Sequence, residues 1–442
     1  MTAAEGSREH RKAALAGWVG SALEYYDFFL HGTAAALVFG RVFFPQSDPA
    51  TGTLLALGTF ASGYVARPVG AVLLGHLGDR WGRRRVLVTT LVVMGAATFL
   101  VGCLPSYAQA GLFAPVALVV LRVLQGLAAS GEQAGANSMT FEHAPPDRRG
   151  YFASFTLSGT QGGQILATAV FLPVAALPDE QLLSWGWRVP FWLSALVVVA
   201  GFAVRRTVRE TPAFEGQPPA RFPLGDLVRE QWPALLRVVA ASMVCAVSTV
   251  FTVFALSYAV NTVGLTRTPM LWVGVLANVV ALVAIPAFAR LSDRFGRRPV
   301  FLAGALGSGV LLAAYLAAIR AGSYPLVLAT GVLAFGVAYS AANGVWPAFY
   351  AEMFSTRVRL TGTALGTQVG FALSGFVPGI ASALVAGRAD AWWMAALLVL
   401  ALCAVSAVAA RAARETHGVP LREIDERSAR AVPRGRSQQR SA

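Results

Sequence analysis

Hydrophobic positions in this chain neither alternate nor keep to one helix face. They come in long unbroken runs, at roughly 18–40, 54–74, 86–104, 113–139, 151–173, 187–204, 236–260, 270–289, 299–319, 325–350, 361–386 and 391–411. Each run is close to the ~20 residues that cross a bilayer as a helix. An open sheet could not satisfy its backbone in lipid, so the pattern predicts an all-α membrane protein with twelve transmembrane helices. The runs divide into two sets of six around a Pro- and Arg-rich stretch. The division predicts an N-terminal segment 1–17, a six-helix bundle 18–204, a connector 205–235 with one short surface helix, a second bundle 236–411, and a disordered tail 412–442.

A repeat supports the two-bundle reading. Gly75-His76-Leu77-Gly78-Asp79-Arg80-Trp81-Gly82-Arg83-Arg84-Arg85 returns as Ala289-Arg290-Leu291-Ser292-Asp293-Arg294-Phe295-Gly296-Arg297-Arg298-Pro299, an offset close to half of the 442 residues. Both copies lie between apolar runs. A weaker echo pairs Phe141-Glu142-His143 and Arg148-Arg149-Gly150 with Tyr350-Ala351-Glu352, Arg357, Arg359 and Gly362. Two similar membrane halves with matching loops are the plan of a secondary transporter.

Composition sharpens this picture. Charged residues make up 13% of the chain, against about a quarter in soluble domains. The formal charge of +14 reflects where the arginines fall. With both termini cytoplasmic, the inward loops hold 29 Lys and Arg; the outward loops hold Arg41, Arg188, Arg267, Arg320 and Arg388. That bias places both termini inside, so the charge needs no nucleic acid to explain it. Lys12 is the single lysine, a usage that points to GC-rich coding and a bacterial inner membrane. The first 17 residues lack a signal-peptide pattern. Cys103, Cys245 and Cys403 sit in separate runs and read as inert thiols. With no metal spacing, phosphate-cradling loop or nucleophile–base set, no cofactor and no enzymatic activity are expected. The expected partners are a small-molecule substrate, protons and lipid, with the monomer as the working unit.

The repeated loop carries chemistry of its own. Asp79 and Asp293 stand at helix ends among arginines, where a carboxylate can cap a neighbouring helix and pair with a guanidinium. Gly75 and Gly82 permit a tight turn. Together with Arg80, Arg83, Arg294 and Arg297 they form a candidate gate that locks one conformation and breaks in the other.

These residues resemble the major facilitator superfamily, whose second loop reads G-x-x-x-D-R-x-G-R-R. Further stretches are similar to its metabolite:proton symporter family: Gly20-Ser21-Ala22-Leu23-Glu24-Tyr25-Tyr26-Asp27-Phe28, Ala66-Arg67-Pro68-Val69-Gly70, Arg122-x-x-Gln125-Gly126 with Gly131-Glu132-x-x-Gly135-Ala136, Gly186-Trp187-Arg188-Val189-Pro190-Phe191, Arg209-Glu210-Thr211-Pro212-Ala213-Phe214, and Thr356-Arg357-Val358-Arg359-x-Thr361-Gly362. Ser355 stands where that last motif usually has proline. The resemblance spans about residues 17–410 and implies proton-linked uptake of organic acids, aromatic acids, betaines or sugar-like acids. It also associates Arg122 and Gln125 with proton coupling. A proton-driven drug or metabolite antiporter is the alternative, although Gly159-Thr160-Gln161-Gly162-Gly163-Gln164 lacks the Gly-Pro kink of that class.

Charges within a bilayer are costly and point to function. Here they crowd into the first half: Glu24, Asp27 and His31, then Arg67, then Arg122 and Glu132. Glu24, Asp27 and His31 form one helical stripe, as do Arg122, Gln125, Ala129 and Glu132. Asp27, Glu132 and Glu24 are the candidate proton carriers, with Arg122 coupled to them. Arg67 is either the anchor for a substrate carboxylate or a structural partner of Asp27. Gln125, Gln161, Asn343, Trp346 and Arg188 are the further substrate candidates. Asn343, Trp346 and Tyr350 share a face that either stacks a small ligand or packs helices. Arg188 also reads as an interfacial anchor beside Trp187. His31 is either a packed polar residue or a proton relay.

Overall fold

The computed structural model describes residues 3–81, 83–130, 140, 141, 144, 145, 147–196, 199, 223–386 and 388–430. Side chains of 3–17, 75–81, 83–88, 223, 224, 226, 422 and 427–430 are not described. The described elements are all helices, and no strand occurs among the described residues. The first half holds α1 (Ala3–Ala34), α2 (Pro49–Trp81), α3 (Arg83–Cys103), α4 (Phe113–Ala129), α5 (Arg149–Ala175) and α6, which opens at Arg188–Trp192. The second half holds α7 (Trp232–Val263), α8 (Arg267–Phe295), α9 (Arg297–Ala321), α10 (Tyr324–Ala351), α11 (Arg359–Val385) and α12 (Ala389–Ala412). These twelve helices form the two six-helix bundles of a multi-pass membrane protein. Large apolar side chains such as Val65, Val69, Val283, Val310 and Val408 stay exposed on the outside, as a lipid-facing surface requires.

Prolines mark the helices without ending them. Pro68 lies inside α2, Pro173 inside α5, Pro286 inside α8 and Pro347 inside α10. Neighbouring helices and local adjustments absorb the lost backbone bond in a membrane bundle. Several helices also widen into π-turns: Ala35–Phe39 after α1, Val250–Phe254 and Tyr258–Val263 within α7, and Val332–Tyr339 within α10. A widened turn leaves carbonyls for other donors. One of these, Ala36 O, accepts from Asn261 Nδ2 of the other half at 2.9 Å.

Small residues let the helices approach. A Cβ on Gly159 or Gly163 of α5 would stand 2.3 Å from Trp18 O or Ala22 O of α1. The same α5 also runs along α8 and α10, and α2 runs along α11, and these contacts join the halves.

Two element boundaries depart from the hydropathy pattern. The helix predicted to start at 236 begins at Trp232, and a short helix, Pro223–Glu230, precedes it. The tail expected to be disordered from 412 is ordered as far as a further helix, α13 (Leu421–Arg430). Its polar residues are spent on the bundle: Thr356 N and Oγ1 donate to Asp425 at 2.6 and 2.8 Å, and Arg149 Nη1 donates to Val419 O at 3.3 Å. Leu421 packs beside Phe141, Ala153, Ala348 and Ala351, which come from both halves. Local polarity suggested a free end because these partners are remote in sequence.

Candidate functional site

Helix α1 brings a carboxylate to each of two arginines. Glu24 Oε1 lies 3.3 Å from Arg67 Nη2, with both side chains almost wholly buried. Asp27 is buried on the side of Arg122 and Thr98. The carboxylate paired with Arg67 is therefore Glu24 and not Asp27, which the sequence offered as the structural alternative to a substrate carboxylate. Residues three apart on a helix differ by about 60° around its axis. That rotation turns Glu24 towards α2 and Asp27 towards α3 and α4.

Phe28 lies between the two cations. The Arg67 guanidinium carbon is 4.9 Å from its ring centroid and that of Arg122 is 4.0 Å away. Tyr25 and Tyr64 also face Arg67, each at 5.6 Å, and Phe60 faces Arg122 at 5.3 Å. Ring faces offset part of the cost of holding a desolvated guanidinium. Gly63 makes room for this arrangement, because a Cβ there would stand 2.6 Å from Arg122 Nε.

Arg122 Nη1 donates to Gln125 Oε1 at 3.1 Å, and Gln125 Nε2 donates to Thr98 Oγ1 at 2.7 Å. Arg122 Nε and Nη2, Arg67 Nε and Asp27 Oδ1 have no hydrogen-bond partner among the described residues. Buried polar atoms are ordinarily satisfied, so unspent donors and an unspent carboxylate oxygen within one buried set suit a site that takes a ligand or a proton. His31 Nε2 stands 3.2 Å from Thr59 Oγ1, one turn beyond Asp27.

The second half faces this set with neutral groups. Cys245 and Tyr339 lie within electrostatic reach of Arg67 and Tyr64. On α10, Trp346 Nε1 donates to Asn343 Oδ1 at 3.0 Å, and its ring stacks on Tyr350 at 5.5 Å. On α5, Gln161 Nε2 donates to Thr160 Oγ1 at 3.0 Å, and Oε1 has no hydrogen-bond partner among the described residues. Arg188 does not join the set. Its guanidinium donates to Gly102 O at 3.0 Å and also to Leu104 O, capping the end of α3, and it lies over the Trp187 ring. Glu132, and the side chains of Gly75, Asp79, Arg80, Gly82 and Arg83, lie outside the described residues.

The second copy of the repeated loop joins the halves at one end. Asp293, near the end of α8, accepts from Gly150 N and Tyr151 N at 2.9 and 2.8 Å, at the N-terminus of α5. Its Oδ1 also takes Arg297 Nη1 at 2.6 Å. Arg297 then reaches Glu352, just past the end of α10, with Nε and Nη2, both at 3.3 Å. Gly296 makes the turn between α8 and α9 with φ of 106°, a conformation glycine adopts without strain. Glu415 accepts from Arg297 N and Arg298 N, both at 2.9 Å, and caps α9. Burial alone would raise the Glu415 carboxyl, but four backbone N–H groups from Arg297, Arg298, His417 and Thr416 hold it below its ordinary 4.5. Arg294 stays exposed over the Phe295 ring.

The opposite end is closed by different residues. Asp179 takes Arg41 Nη1 at 2.7 Å from its own half and Arg267 Nη2 at 2.8 Å from the other. The Arg41 bond, then Arg267 against partial burial, holds this carboxyl below its ordinary 3.8. Sequence reading did not single out Asp179, Glu352, Glu415 or Thr98. Only Glu352 carried a signal there, as part of the second echo between the halves.

Comparison with known proteins agrees with this architecture. The model of the family described as "Sugar (and other) transporter" matches residues 13–216 and 223–427. The shikimate transporter of Escherichia coli is 38% identical over 410 residues, 90% of this chain and 93% of that protein. The proline/betaine transporter of Salmonella typhimurium is 29% identical over 429 residues, 93% of this chain and 85% of that one. Among solved structures, the proton:xylose symporter XylE bound to 6-bromo-6-deoxy-D-glucose superposes with a TM-score of 0.72 at 18% identity, covering 95% of this chain and 99% of that one.

Proposed function

The chain belongs to the sugar (and other) transporter family of the major facilitator superfamily, among its metabolite:proton symporters, and from that premise we propose that it moves a small organic acid anion or zwitterion inward together with a proton, by alternating access. It is a transporter and not an enzyme. The observation that carries the substrate reading is the asymmetry of the buried charge. Glu24, Asp27, Arg67 and Arg122 all stand in the first half, opposite neutral and aromatic groups of the second.

In this reading Arg67 receives the substrate carboxylate, in competition with Glu24. A guanidinium stays charged and can hold a carboxylate through two parallel bonds. Arg67 Nε, without a hydrogen-bond partner among the described residues, is left as a donor for such a ligand. Substrate arrival then changes the field at Glu24 and, across Phe28, at the pair of Asp27 and Arg122. Asp27 and Glu132 carry the proton, and Arg122 with Gln125 couples its release to the movement of the halves. Gln161, Asn343 and Trp346 supply the neutral contacts to the substrate. The Arg67 surroundings, with Tyr25 and Tyr64 beside the cation, suit a ring-bearing acid or a methylated ammonium acid. The names of two relatives, one carrying shikimate and the other proline and betaine, support the same classes. The arginine bias of the loops supports an inner-membrane location with both termini in the cytoplasm.

Uptake of labelled shikimate, proline or betaine into vesicles tests this reading. At least one should accumulate under an inward proton gradient and stop accumulating with a protonophore. Asp27→Asn or Glu132→Gln should abolish uphill accumulation yet keep counterflow exchange, which needs no net proton release. Accumulation that follows a sodium gradient and ignores the protonophore would falsify the proposal.

A further inference from the structure

Phe141, between α4 and α5 in the chain, is buried and receives a guanidinium from each half. The guanidinium carbons of Arg149 and Arg359 both lie 5.7 Å from its ring centroid, inside the ~6 Å over which a ring face attracts a cation. The two arginines hold the same place in the duplication. Arg149 is the first residue of α5 and Arg359 the first of α11. The ring does not repeat. Eight residues before Arg149 the chain has Phe141, and eight residues before Arg359 it has Ala351. Two matching cations therefore converge on one ring. Arg359 is held there by its own half, giving Nε to Ala351 O at 3.1 Å and Nη2 to Phe354 O at 3.4 Å.

The two contacts differ in what they join. Arg149 and Phe141 belong to the same half and can move together. Arg359 comes from the other half, so its contact must break when this end opens. Gly150 and Tyr151, next to Arg149, carry the Asp293 bond between the halves, so ring and cap close the same end. In the closed state the Arg359 guanidinium is buried, and the negative face of the ring offsets part of its lost hydration. In the open state water reaches both partners. The attraction of a ring face is small beside that of a buried ion pair, as suits a contact that is remade in every cycle.

We infer that Phe141 is a positioning residue for the transport cycle, whose ring face holds Arg359 of the opposite half and biases the Asp293 end towards closure. The inference rests on alternating access, which requires that end to open, and it gives part of the closure to a side chain that carries no charge.

Hydrogen exchange of the full chain tests it, with Phe141 replaced in turn by phenylalanines that carry one, two or three ring fluorines. Fluorine weakens the negative face and nearly preserves the shape. Amides at the start of α5, residues 149–155, should exchange faster with each fluorine, by about two- to fivefold across the series. Amides of Leu182–Gly186, at the opposite end, should not. The gradient should vanish in Arg359→Gln, which removes the cation that crosses the halves, and persist in Arg149→Gln. A flat fluorine series, equal acceleration at both ends, or a gradient that survives Arg359→Gln overturns the inference and leaves alternating access standing. Amides 149–155 that exchange in the parent only by global unfolding would instead defeat opening at this end, and alternating access with it. The fluorinated chains differ from the parent by a few atoms, so the series decides even where an arginine variant does not fold.

Discussion

Single residues in this membrane core are distinguished by what they leave unspent. Arg67 bonds Glu24, lies against three rings and leaves Nε without a partner among the described residues, so that donor defines what it can take. Arg67→Lys keeps the charge and loses the planar fork. It should weaken a carboxylate substrate by about 1.5–3 kcal/mol, roughly 10- to 150-fold in affinity. Titration calorimetry of the detergent-purified variant checks this, and unchanged affinity would remove Arg67 from the substrate site. Spacing made part of the residue picture legible. Glu24, Asp27 and His31 fall on one stripe in the sequence and are all buried in the structure. Spacing could not separate Glu24 from Asp27, because the rotation between them matters only when the neighbouring helices are known. Thr98 was invisible for another reason. An isolated threonine in an apolar run has no periodic signal, and its role comes from what lies across from it.

At the scale of elements, most of the architecture could be read from run length, since a lipid-spanning helix must be apolar along its length. The ends of helices could not. Asp293 spends both oxygens on the N-terminus of α5, and Glu415 spends both on that of α9. Such caps join segments more than a hundred residues apart. Asp293→Asn should slow transport several-fold while leaving substrate affinity within a few-fold. Parallel measurement of counterflow rate and equilibrium binding decides this, and equal loss of both would reject the gate role. Glu415 gives a pH dependence. Its folded carboxyl titrates below the ordinary 4.5, so its contribution is present above pH 4.5 and is lost as pH falls through the lower folded value. Amides of residues 413–430 should therefore resist hydrogen exchange near neutrality and lose that protection in acid. Glu415→Gln should lose it at both pH values. Protection independent of both changes would mean that α13 is held by Leu421 and Asp425 without the cap.

For the whole molecule, the two halves are bound at both ends in the same state, with the charged site between. The duplication and the division into two bundles were legible from the repeat. The simultaneous closure was not, because the repeat marks only one end. The two closures differ in their exposure to solvent. Arg297, Asp293 and Glu352 are 2 to 7% exposed, whereas Arg41 and Asp179 are 56 and 51% exposed and Arg267 is 21%. Dissolved ions screen exposed charges over about 10 Å at 0.1 M and about 3 Å at 1 M, and screen buried pairs far less. Ionic strength is thus a one-sided lever on this protein. Raising salt towards about 1 M should broaden the distance between spin labels set across the Arg41–Arg267 end, and leave labels across the Tyr151–Arg294 end unchanged. Equal broadening at both ends would show that the clasp on Asp179 contributes nothing to closure. Otherwise the electrolyte around the membrane biases which door opens first, with no change in substrate or proton.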